Sequence, residues 1–198
     1  MSFPERLVVA TRNPGKVREI LAICRDWPVG WLTHEDATWP DVPETGATYV
    51  DNALLKALAV AGAAGEAALA EDSGIEVDAL GGRPGPRSAR FAGEGASDRE
   101  NLEALLRALE GVPPERRTAR YRAVAVVAWP DGREVMAEGT CEGRLRTEPA
   151  GTGGFGYDPI FQPAGHERTM AQLDPEEKDA LSHRGGALRA LRARLAGD

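Results

Sequence analysis

Two acids and a hydroxyl stand side by side at Glu71, Asp72 and Ser73. The two apolar residues before them could end a buried strand, and Gly74 permits a sharp turn into the alternating run 75–80. Strand ends are common ligand sites in α/β proteins, and Mg²⁺ prefers carboxylate oxygens in sites that it shares with phosphate. Adjacent carboxylates also repel each other unless a cation lies beside them. The stretch is therefore a candidate magnesium site or, on the simpler interpretation, a capped turn with solvated acids.

A second candidate site lies near the N terminus. A short apolar run at 7–10 predicts a buried strand, and apolar residues at helical spacing follow the loop 11–16. Free backbone N–H groups at a helix start, together with Lys16 in the first turn, would form a phosphate site. The loop does not match the GxxxxGK[ST] pattern of a P-loop. The alternative is an ordinary strand-to-helix connection in which Asn13 and Pro14 start the helix.

Lysine is rare in this chain. Only three lysines occur among the 24 basic residues, at positions 16, 56 and 178, and arginine supplies the remaining positive charge. A lysine retained in such a chain suits a place that needs a compact ammonium on a flexible stem, as at a phosphate. The alternative is that three surface lysines have survived by chance.

A long helical pattern follows Glu44. Thr48, Asn52 and Lys56 lie four residues apart in it, on one face of the predicted helix. Glu44 could reach a metal held by Asp72, although an acid near a helix N-terminus is more often a cap or a partner of the helix dipole.

The last third of the chain contains a Gly-rich stretch, 151–159, with Phe155 and Tyr157 between the glycines. Glycines around aromatic rings let backbone and ring approach a flat ligand closely. Farther on, His183 and Arg184 begin a predicted helix and offer several donors to one acceptor. A lone histidine is usually structural, but this pair at a helix start is a candidate for ligand binding.

The remaining patterns predict an α/β fold. Ser97 and Glu100 resemble a capping box that opens a helix. The segment 118–129 predicts a strand, a Pro-Asp-Gly turn follows, and 133–146 predicts the returning strand, so the sheet is at least partly antiparallel. No internal repeat and no clear linker divides the chain, which we therefore treat as a single domain over 1–198.

Composition narrows the class of protein. The 198 residues suffice for a sizeable core, and 42% hydrophobic and 28% charged residues are typical of a soluble globular protein. The net charge of −7 argues against coating a nucleic acid. Two distant cysteines, Cys24 and Cys141, imply neither a disulfide framework nor a zinc site. No apolar run has transmembrane length and no signal peptide is recognised, so we expect no membrane partner and a cytoplasmic location.

Six motifs occur in order along the chain: TRNPGK, ETGATYVDNALLKA, EDSGIEVDALGGRPG, SARFAG, AGTGGFGYDPIF and SHRGGAL. Together they closely resemble the Ham1/RdgB family, the inosine and xanthosine triphosphate pyrophosphatases that remove non-canonical purine nucleotides. The resemblance implies an elongated, two-lobed α/β fold around a long mixed β-sheet with flanking helices, and a substrate cleft between the lobes. It also implies Mg²⁺ as cofactor, usually a homodimer, and hydrolysis of ITP, dITP, XTP and dXTP to the monophosphate and pyrophosphate.

The resemblance also gives roles to individual residues by position. Asp72 is expected to accept the proton of the attacking water and to bind the metal together with Glu44. Phe155 is expected to stack on the base. Arg12 and Glu71 depart from the commonest pattern, in which a small residue and an aspartate stand there, and Arg12 could alter the phosphate contacts. The expected substrate contacts are Thr11, Arg12, Asn13, Pro14, Gly15, Lys16, Lys56, Ser73, Phe155, Gly156, Tyr157, Asp158, Lys178, His183 and Arg184.

Base choice would follow from the donors at the final helix. His183 and Arg184 would satisfy the 6-oxo group of hypoxanthine or xanthine and would face the 6-amino donor of adenine unfavourably. Two other functions stay open at this point: a sensor that holds a triphosphate without cleaving it, and a pyrophosphatase of the related Maf-like group. Glu44, Asp72 and Lys16 argue against the sensor, and the SHRGGAL and GGFGYD stretches argue against the Maf-like enzyme.

The lysine pattern yields the first prediction. Lys16→Arg conserves the charge, but a larger planar guanidinium would not fit a site shaped around an ammonium. We therefore expect a marked fall in kcat/KM for inosine triphosphate, measured by steady-state release of pyrophosphate. An unchanged kcat/KM would show that Lys16 is only a surface charge.

Overall fold

The apolar runs of the sequence form a six-stranded mixed sheet in the computed structural model, which describes residues 2–197. The strands are Arg6–Val9 (β1), Gly30–Leu32 (β2), Ala67–Val77 (β3), Thr118–Ala128 (β4), Glu134–Leu145 (β5) and Phe161–Pro163 (β6). Their order in the sheet is β2-β1-β3-β4-β5-β6. β1 is parallel to both β2 and β3, whereas β5 and β6 are antiparallel, as the predicted mixed sheet requires.

Helices connect the first four strands and follow the last one, and most of them begin at a side-chain cap. The caps of the first four are Asn13, Thr48, Ser97 and Asp174, and the predicted capping box of Ser97 with Glu100 is confirmed. None of the helices within 2–197 combines the length and apolar character that crossing a bilayer requires. The helices are Pro14–Ile23 (α1), Tyr49–Ala64 (α2), Asp98–Ala108 (α3), Pro175–Leu181 (α4) and His183–Ala196 (α5).

The chain divides into two compact units. Unit 1 comprises the residues up to Asp72, the segment Ala123–Gly139 and the chain from Arg184 onward. Unit 2 comprises Ser73–Arg122 and Thr140–His183. Strands β3, β4 and β5 therefore contain residues of both units.

Unit 1 buries apolar side chains on both faces of its strands. Leu7 and Leu69 belong to a buried cluster that includes residues of α1 and α5, whereas Val8 and Ala68 belong to a second cluster that includes residues of α2. Successive side chains of a strand point to opposite faces, so this alternation places a helical layer on each face.

Unit 2 has an apolar core of its own. Ile75 and Val77 of β3 belong to a buried cluster with Leu105 of α3 and Phe161 of β6. The ring of Tyr121, in β4, lies 4.6 Å from that of Phe161 between centroids. The second half of β3 is therefore held by a different set of apolar residues from the first half.

Strand β3 differs from the sequence prediction. The turn expected at Gly74 is not formed, and the strand is continuous over Ala67–Val77. Its hydrogen-bonded neighbour on one side, β4, is equally long at 11 residues. On the other side β1 pairs with β3 only as far as Leu69. Residues 71–73 therefore lie in mid-strand, beyond the end of the β1 ladder.

The cap of α2 yields the second prediction. The Thr48 hydroxyl accepts a hydrogen bond from the Asp51 N–H at 3.1 Å. Thr48→Ala removes that acceptor, so we expect the free energy of unfolding to fall by about 1 kcal/mol. Thr48→Ser keeps the hydroxyl and is the control. Urea unfolding followed by circular dichroism measures both variants, and equal losses would contradict the role of the cap.

Candidate functional site

A lysine lies between two carboxylates in unit 1. Lys56 Nζ is 2.7 Å from Glu44 Oε1 and 3.4 Å from Asp72 Oδ1. Burial raises the pKa of the Asp72 carboxyl in spite of the opposing effect of Lys56. Burial alone would lower the pKa of Lys56, but Asp72 and Glu44 outweigh it and hold that pKa above its usual value. The two acids predicted as metal ligands are thus brought together around one ammonium group.

Asn52 fixes the second oxygen of Asp72. Its fully buried side chain donates from Nδ2 to Asp72 Oδ2 at 3.3 Å and accepts at Oδ1 from the Gly46 N–H at 2.8 Å. A backbone N–H can only donate, so the amide oxygen must face Gly46 and the amide NH₂ must face Asp72. The sequence analysis gave Asn52 no role. The available signal was its spacing of four residues from Lys56 on one helix face.

Glu71 contacts three cationic side chains of unit 1. Its buried carboxylate lies 2.8 Å from Lys16 Nζ and 3.1 Å from Arg184 Nη2, and Arg184 also pairs with Glu19. The main-chain oxygen of Glu71 accepts hydrogen bonds from Lys56 Nζ at 3.1 Å and Lys16 Nζ at 3.4 Å. Burial would lower the pKa of Arg184, but Glu71 and Glu19 outweigh it and raise that pKa. Three cationic side chains therefore meet at one residue of β3.

The end of the β1 ladder explains why lysines reach the backbone there. The Ala10 N–H donates to the Leu69 carbonyl at 2.8 Å, as a parallel strand would. After Ala10 the chain turns into the loop before α1, whereas β3 continues. The Glu71 carbonyl, two residues farther along β3, is thus left for the side chains of Lys16 and Lys56.

Asn13 caps α1 in the loop that was predicted to bind phosphate. Its Oδ1 accepts from the Gly15 N–H at 2.9 Å and from the Lys16 N–H at 3.1 Å. The prediction of free N–H groups at this helix start is wrong for these two groups, because the asparagine side chain satisfies them. The predicted position of Lys16 in the first turn of a helix is confirmed.

The other residues of this loop have local partners. Thr11 Oγ1 accepts from the N–H of the next residue but one, at 3.2 Å, and Pro14 opens α1. Arg12 forms an ion pair with Asp41, donates to the Trp39 carbonyl at 2.6 Å and lies 5.5 Å from the centre of the Trp39 ring. The large residue at position 12 thus anchors the loop to the segment before α2.

Asp158 is the centre of a second group, in unit 2. Its Oδ2 accepts from Lys178 Nζ at 2.6 Å and from the Phe155 N–H at 2.9 Å. Lys178 Nζ also lies 5.0 Å from the centre of the Phe155 ring, in cation–π contact. A Cβ at Gly154, where φ is +70°, would lie 2.1 Å from the same Asp158 oxygen. Position 154 therefore requires glycine, both because of its backbone conformation and because a side chain would not fit beside Asp158.

Tyr121 contacts two predicted site residues of unit 2 and was missed by the sequence analysis. Its ring stacks on that of His183, with centroids 4.6 Å apart and an interplanar angle of 9°. Its hydroxyl donates to Asp158 Oδ1 at 3.3 Å. An aromatic residue within a predicted strand was the available signal, and core residues share it.

The remaining predicted substrate contacts, Gly156, Tyr157 and Ser73, differ in their hydrogen-bond partners and burial. The Gly156 N–H donates to Asp98 Oδ2 at 2.8 Å. The buried Tyr157 hydroxyl donates to the Ser88 carbonyl at 2.7 Å, and burial raises its pKa. The Tyr157 side chain is therefore committed to the core of unit 2. Ser73 follows directly after the acidic pair on β3 and is half-buried.

The carboxylates of Glu44 and Asp72 fit a hard divalent cation in chemistry and in proximity. Mg²⁺ is commonly bound by one or two carboxylates and completes its coordination with water and substrate phosphates. Across residues 2–197, no group of three or more His, Cys, Asp or Glu side chains is placed to hold a metal ion. A metal at this pair would therefore take its remaining ligands from water or a bound phosphate.

Comparisons with known proteins point to one family. The model of the Ham1 family matches residues 7–194. A protein of Streptomyces coelicolor named dITP/XTP pyrophosphatase is 52% identical over 192 residues, which cover 94% of each chain. A protein of Desulforamulus reducens with the same name is 50% identical, over 93% of this chain and 92% of its own. The solved structure of a HAM1 protein from Coxiella burnetii has a TM-score of 0.88 at 39% identity and covers 98% of this chain and 99% of its own.

Asn52 yields the third prediction. Asn52→Asp keeps the acceptor for the Gly46 N–H but turns a carboxylate toward Asp72. Two carboxylates in contact share a proton, so the loss of that shared proton has a folded-state pKa above the unfolded value. The stability of the variant is then highest below the unfolded pKa and falls as pH rises through the folded pKa. We expect a loss relative to wild type of about 2 kcal/mol at neutral pH, shrinking as the pH falls toward about 5.

Urea unfolding in metal-free buffer across this pH range measures the effect. Asn52→Leu is the control, because it removes both hydrogen bonds without adding a charge. Its deficit should vary far less with pH. The same pH dependence in both variants would show that the orientation of the amide toward Asp72 is not what stabilises the site.

Proposed function

The chain belongs to the Ham1 family, and we propose that it hydrolyses non-canonical purine nucleoside triphosphates, namely inosine and xanthosine triphosphates in ribo and deoxy forms. The products are the nucleoside monophosphate and pyrophosphate. Relatives that share about half of its residues bear the name dITP/XTP pyrophosphatase. The observation that carries the proposal is the convergence of Lys16, Lys56 and Asp72 around one short stretch of β3. Two flexible cations suited to phosphate meet a buried carboxylate suited to activating water.

The charge of this group supports a metal cofactor. Three cationic side chains of unit 1 pair there with four carboxylates, which leaves these seven groups with one net negative charge. A triphosphate tail adds further negative charge. We propose that Glu44 and Asp72 hold Mg²⁺, which when bound lowers the pKa of a water and offsets the charge of the leaving pyrophosphate.

The side chains of unit 1 have separate roles in the proposed reaction. Asp72 orients the attacking water and accepts its proton, and the pKa that burial has raised makes it a stronger acceptor than an exposed aspartate. Asn52 holds one oxygen of that carboxylate in place. Lys16 and Lys56 exchange carboxylate partners for phosphate oxygens and stabilise the charge that develops as the bond breaks.

The side chains of unit 2 serve the base. Phe155 supplies a stacking surface, which adds affinity for any purine. Lys178, held by Asp158, and His183, stacked on Tyr121, present donors at the edge of the base. Donors match the 6-oxo group of hypoxanthine and xanthine, and an unpaired donor facing the 6-amino group of adenine would reduce specificity for ATP by about 10⁴-fold.

Arg184 is assigned to base recognition by the family resemblance alone. Its guanidinium is buried against Glu71 and Glu19. A contact with the base would require it to exchange one of these partners, so this role stays a prediction. The remaining family properties, a homodimer and a cytoplasmic location, are likewise part of the proposal, and the net charge of −7 supports a nucleotide rather than a nucleic-acid polymer as partner.

A substrate panel tests the proposed function. Purified protein with Mg²⁺ is given ITP, dITP, XTP, dXTP, ATP and GTP, and monophosphate and pyrophosphate are quantified by chromatography. We expect inosine and xanthosine substrates to be cleaved far faster than ATP or GTP. Release of orthophosphate instead of pyrophosphate, or equal rates on ATP and ITP, would overturn the proposal.

The assignment of Asp72 yields the fourth prediction. Asp72→Asn keeps the size of the side chain but removes the proton acceptor, so we expect kcat on ITP to fall by about 10²–10⁴-fold with circular dichroism unchanged. Glu76→Gln is the control, because Glu76 lies on the same strand and pairs with Arg122 instead. Turnover near the wild-type rate in Asp72→Asn would remove Asp72 from the mechanism.

A further inference from the structure

We propose that Lys56 is an internal counterion that occupies the metal position of the free protein and yields it to Mg²⁺ when the metal binds. The proposal deepens the proposed function and rests on it in one respect, that Glu44 and Asp72 are the metal ligands. It gives Lys56 two successive positions: between the two carboxylates first, and on a substrate phosphate afterwards.

The geometry around Lys56 carries this inference. Lys56 Nζ lies within hydrogen-bond distance of Glu44 Oε1, at 2.7 Å, and within ion-pair distance of Asp72 Oδ1, at 3.4 Å. The ammonium thus stands between the two groups that would bind the metal. Asn52 already engages the other oxygen of Asp72, so Oδ1 is the oxygen that both cations would share.

An ammonium and a metal ion cannot keep the same two oxygens. Mg²⁺ holds its oxygen ligands at about 2.0–2.1 Å, which would bring it close to an ammonium that stayed in place. Two cations at such a separation repel strongly in a partly buried site. The metal therefore has to displace the ammonium before it can bind both carboxylates.

The displaced ammonium has a partner within reach. Lys56 Nζ is 3.1 Å from the main-chain oxygen of Glu71, and this acceptor is not one of the proposed metal ligands. A flexible four-carbon stem lets the ammonium pivot about that oxygen. The same pivot leaves it beside the metal, where it can meet a phosphate oxygen.

Lys16 provides a matched contrast. It carries the same charge, contacts the same Glu71 carbonyl at 3.4 Å and is also proposed to bind phosphate. Its ion pair, however, is with the Glu71 carboxylate at 2.8 Å. Removing either lysine deletes one positive charge near β3, but removing Lys56 alone empties the position between Glu44 and Asp72.

Metal binding without nucleotide tests the proposal. Mg²⁺ is titrated into wild type, Lys56→Met and Lys16→Met by isothermal titration calorimetry, and thermal unfolding is recorded with chelator and with Mg²⁺. We expect Lys56→Met to bind Mg²⁺ about tenfold or more tightly than wild type, because the competing cation is gone. Lys16→Met should gain no more than about threefold, because Lys16 acts on Asp72 only through space and pairs with Glu71 instead. The melting temperature of Lys56→Met should also rise the most on adding Mg²⁺.

Three outcomes would overturn the proposal. They are unchanged or weaker Mg²⁺ binding by Lys56→Met, an equal gain in both variants, and no detectable binding by Lys56→Met at tens of millimolar Mg²⁺. An equal gain would mean that only net charge matters.

Wild-type protein offers a measurement that does not depend on a variant folding. The chain has three lysines. Acetylation with a small amine-reactive reagent, followed by mass spectrometry, therefore reports each lysine separately. Mg²⁺ should increase the labelling of Lys56 severalfold and leave Lys16 and Lys178 nearly unchanged. Unaltered labelling of Lys56 at saturating Mg²⁺ would show that the ammonium is not displaced.

Failure of this proposal and failure of the proposed function give different results. If the protein cleaves ITP but shows neither tighter Mg²⁺ binding in Lys56→Met nor altered Lys56 labelling, the proposed function is supported and the counterion role of Lys56 is refuted. If it shows both effects but cleaves none of the triphosphates, the counterion role is supported and the proposed function is refuted.

Discussion

Carboxylates buried in the middle of β3 have to be matched by cations from elsewhere in the chain, and much of unit 1 can be understood from that requirement. An unpaired buried charge is strongly unfavourable, so a strand that carries Glu71 and Asp72 in sequence cannot be stable alone. The parallel neighbour β1 ends its pairing at Leu69, which also leaves the Glu71 carbonyl without a ladder partner on that side. Side-chain ammonium groups meet both needs, because each can bridge a carboxylate and a carbonyl at once.

Three helices each bring one cation to this strand. α1 brings Lys16 in its first turn, α2 brings Lys56 one turn after Asn52, and α5 brings Arg184 near its start. The Asn13 cap fixes where α1 begins, and the Thr48 capping box does the same for α2. Local capping thus sets the register of α1 and α2, and the register decides which of their side chains reaches β3. The chemistry of the site and the stability of the fold share these contacts.

Local features of the chain were predictable from sequence, whereas long-range pairings were not. The capping box at Ser97 and the start of α1 depend on neighbouring residues and were predicted correctly. The continuity of β3 through Gly74 was missed, because pairing with a strand more than 40 residues away in sequence cannot be read from the residues around Gly74. Motifs allowed the site residues to be proposed together, yet no spacing reveals that Arg184 meets Glu71, 113 residues earlier.

The group formed by Glu71, Lys16, Arg184 and Glu19 has a consequence for how the sequence can diverge. An exposed pair such as Arg99 with Glu103 can lose one member at little cost, since water replaces the partner. Inside the group, neutralising Glu71 would leave two cations short of a counter-charge, and neutralising Arg184 would do the same to two acids. Viable replacements there must arrive in compensating combinations. Substitutions at these four positions should therefore be correlated in evolution, with strong epistasis among them.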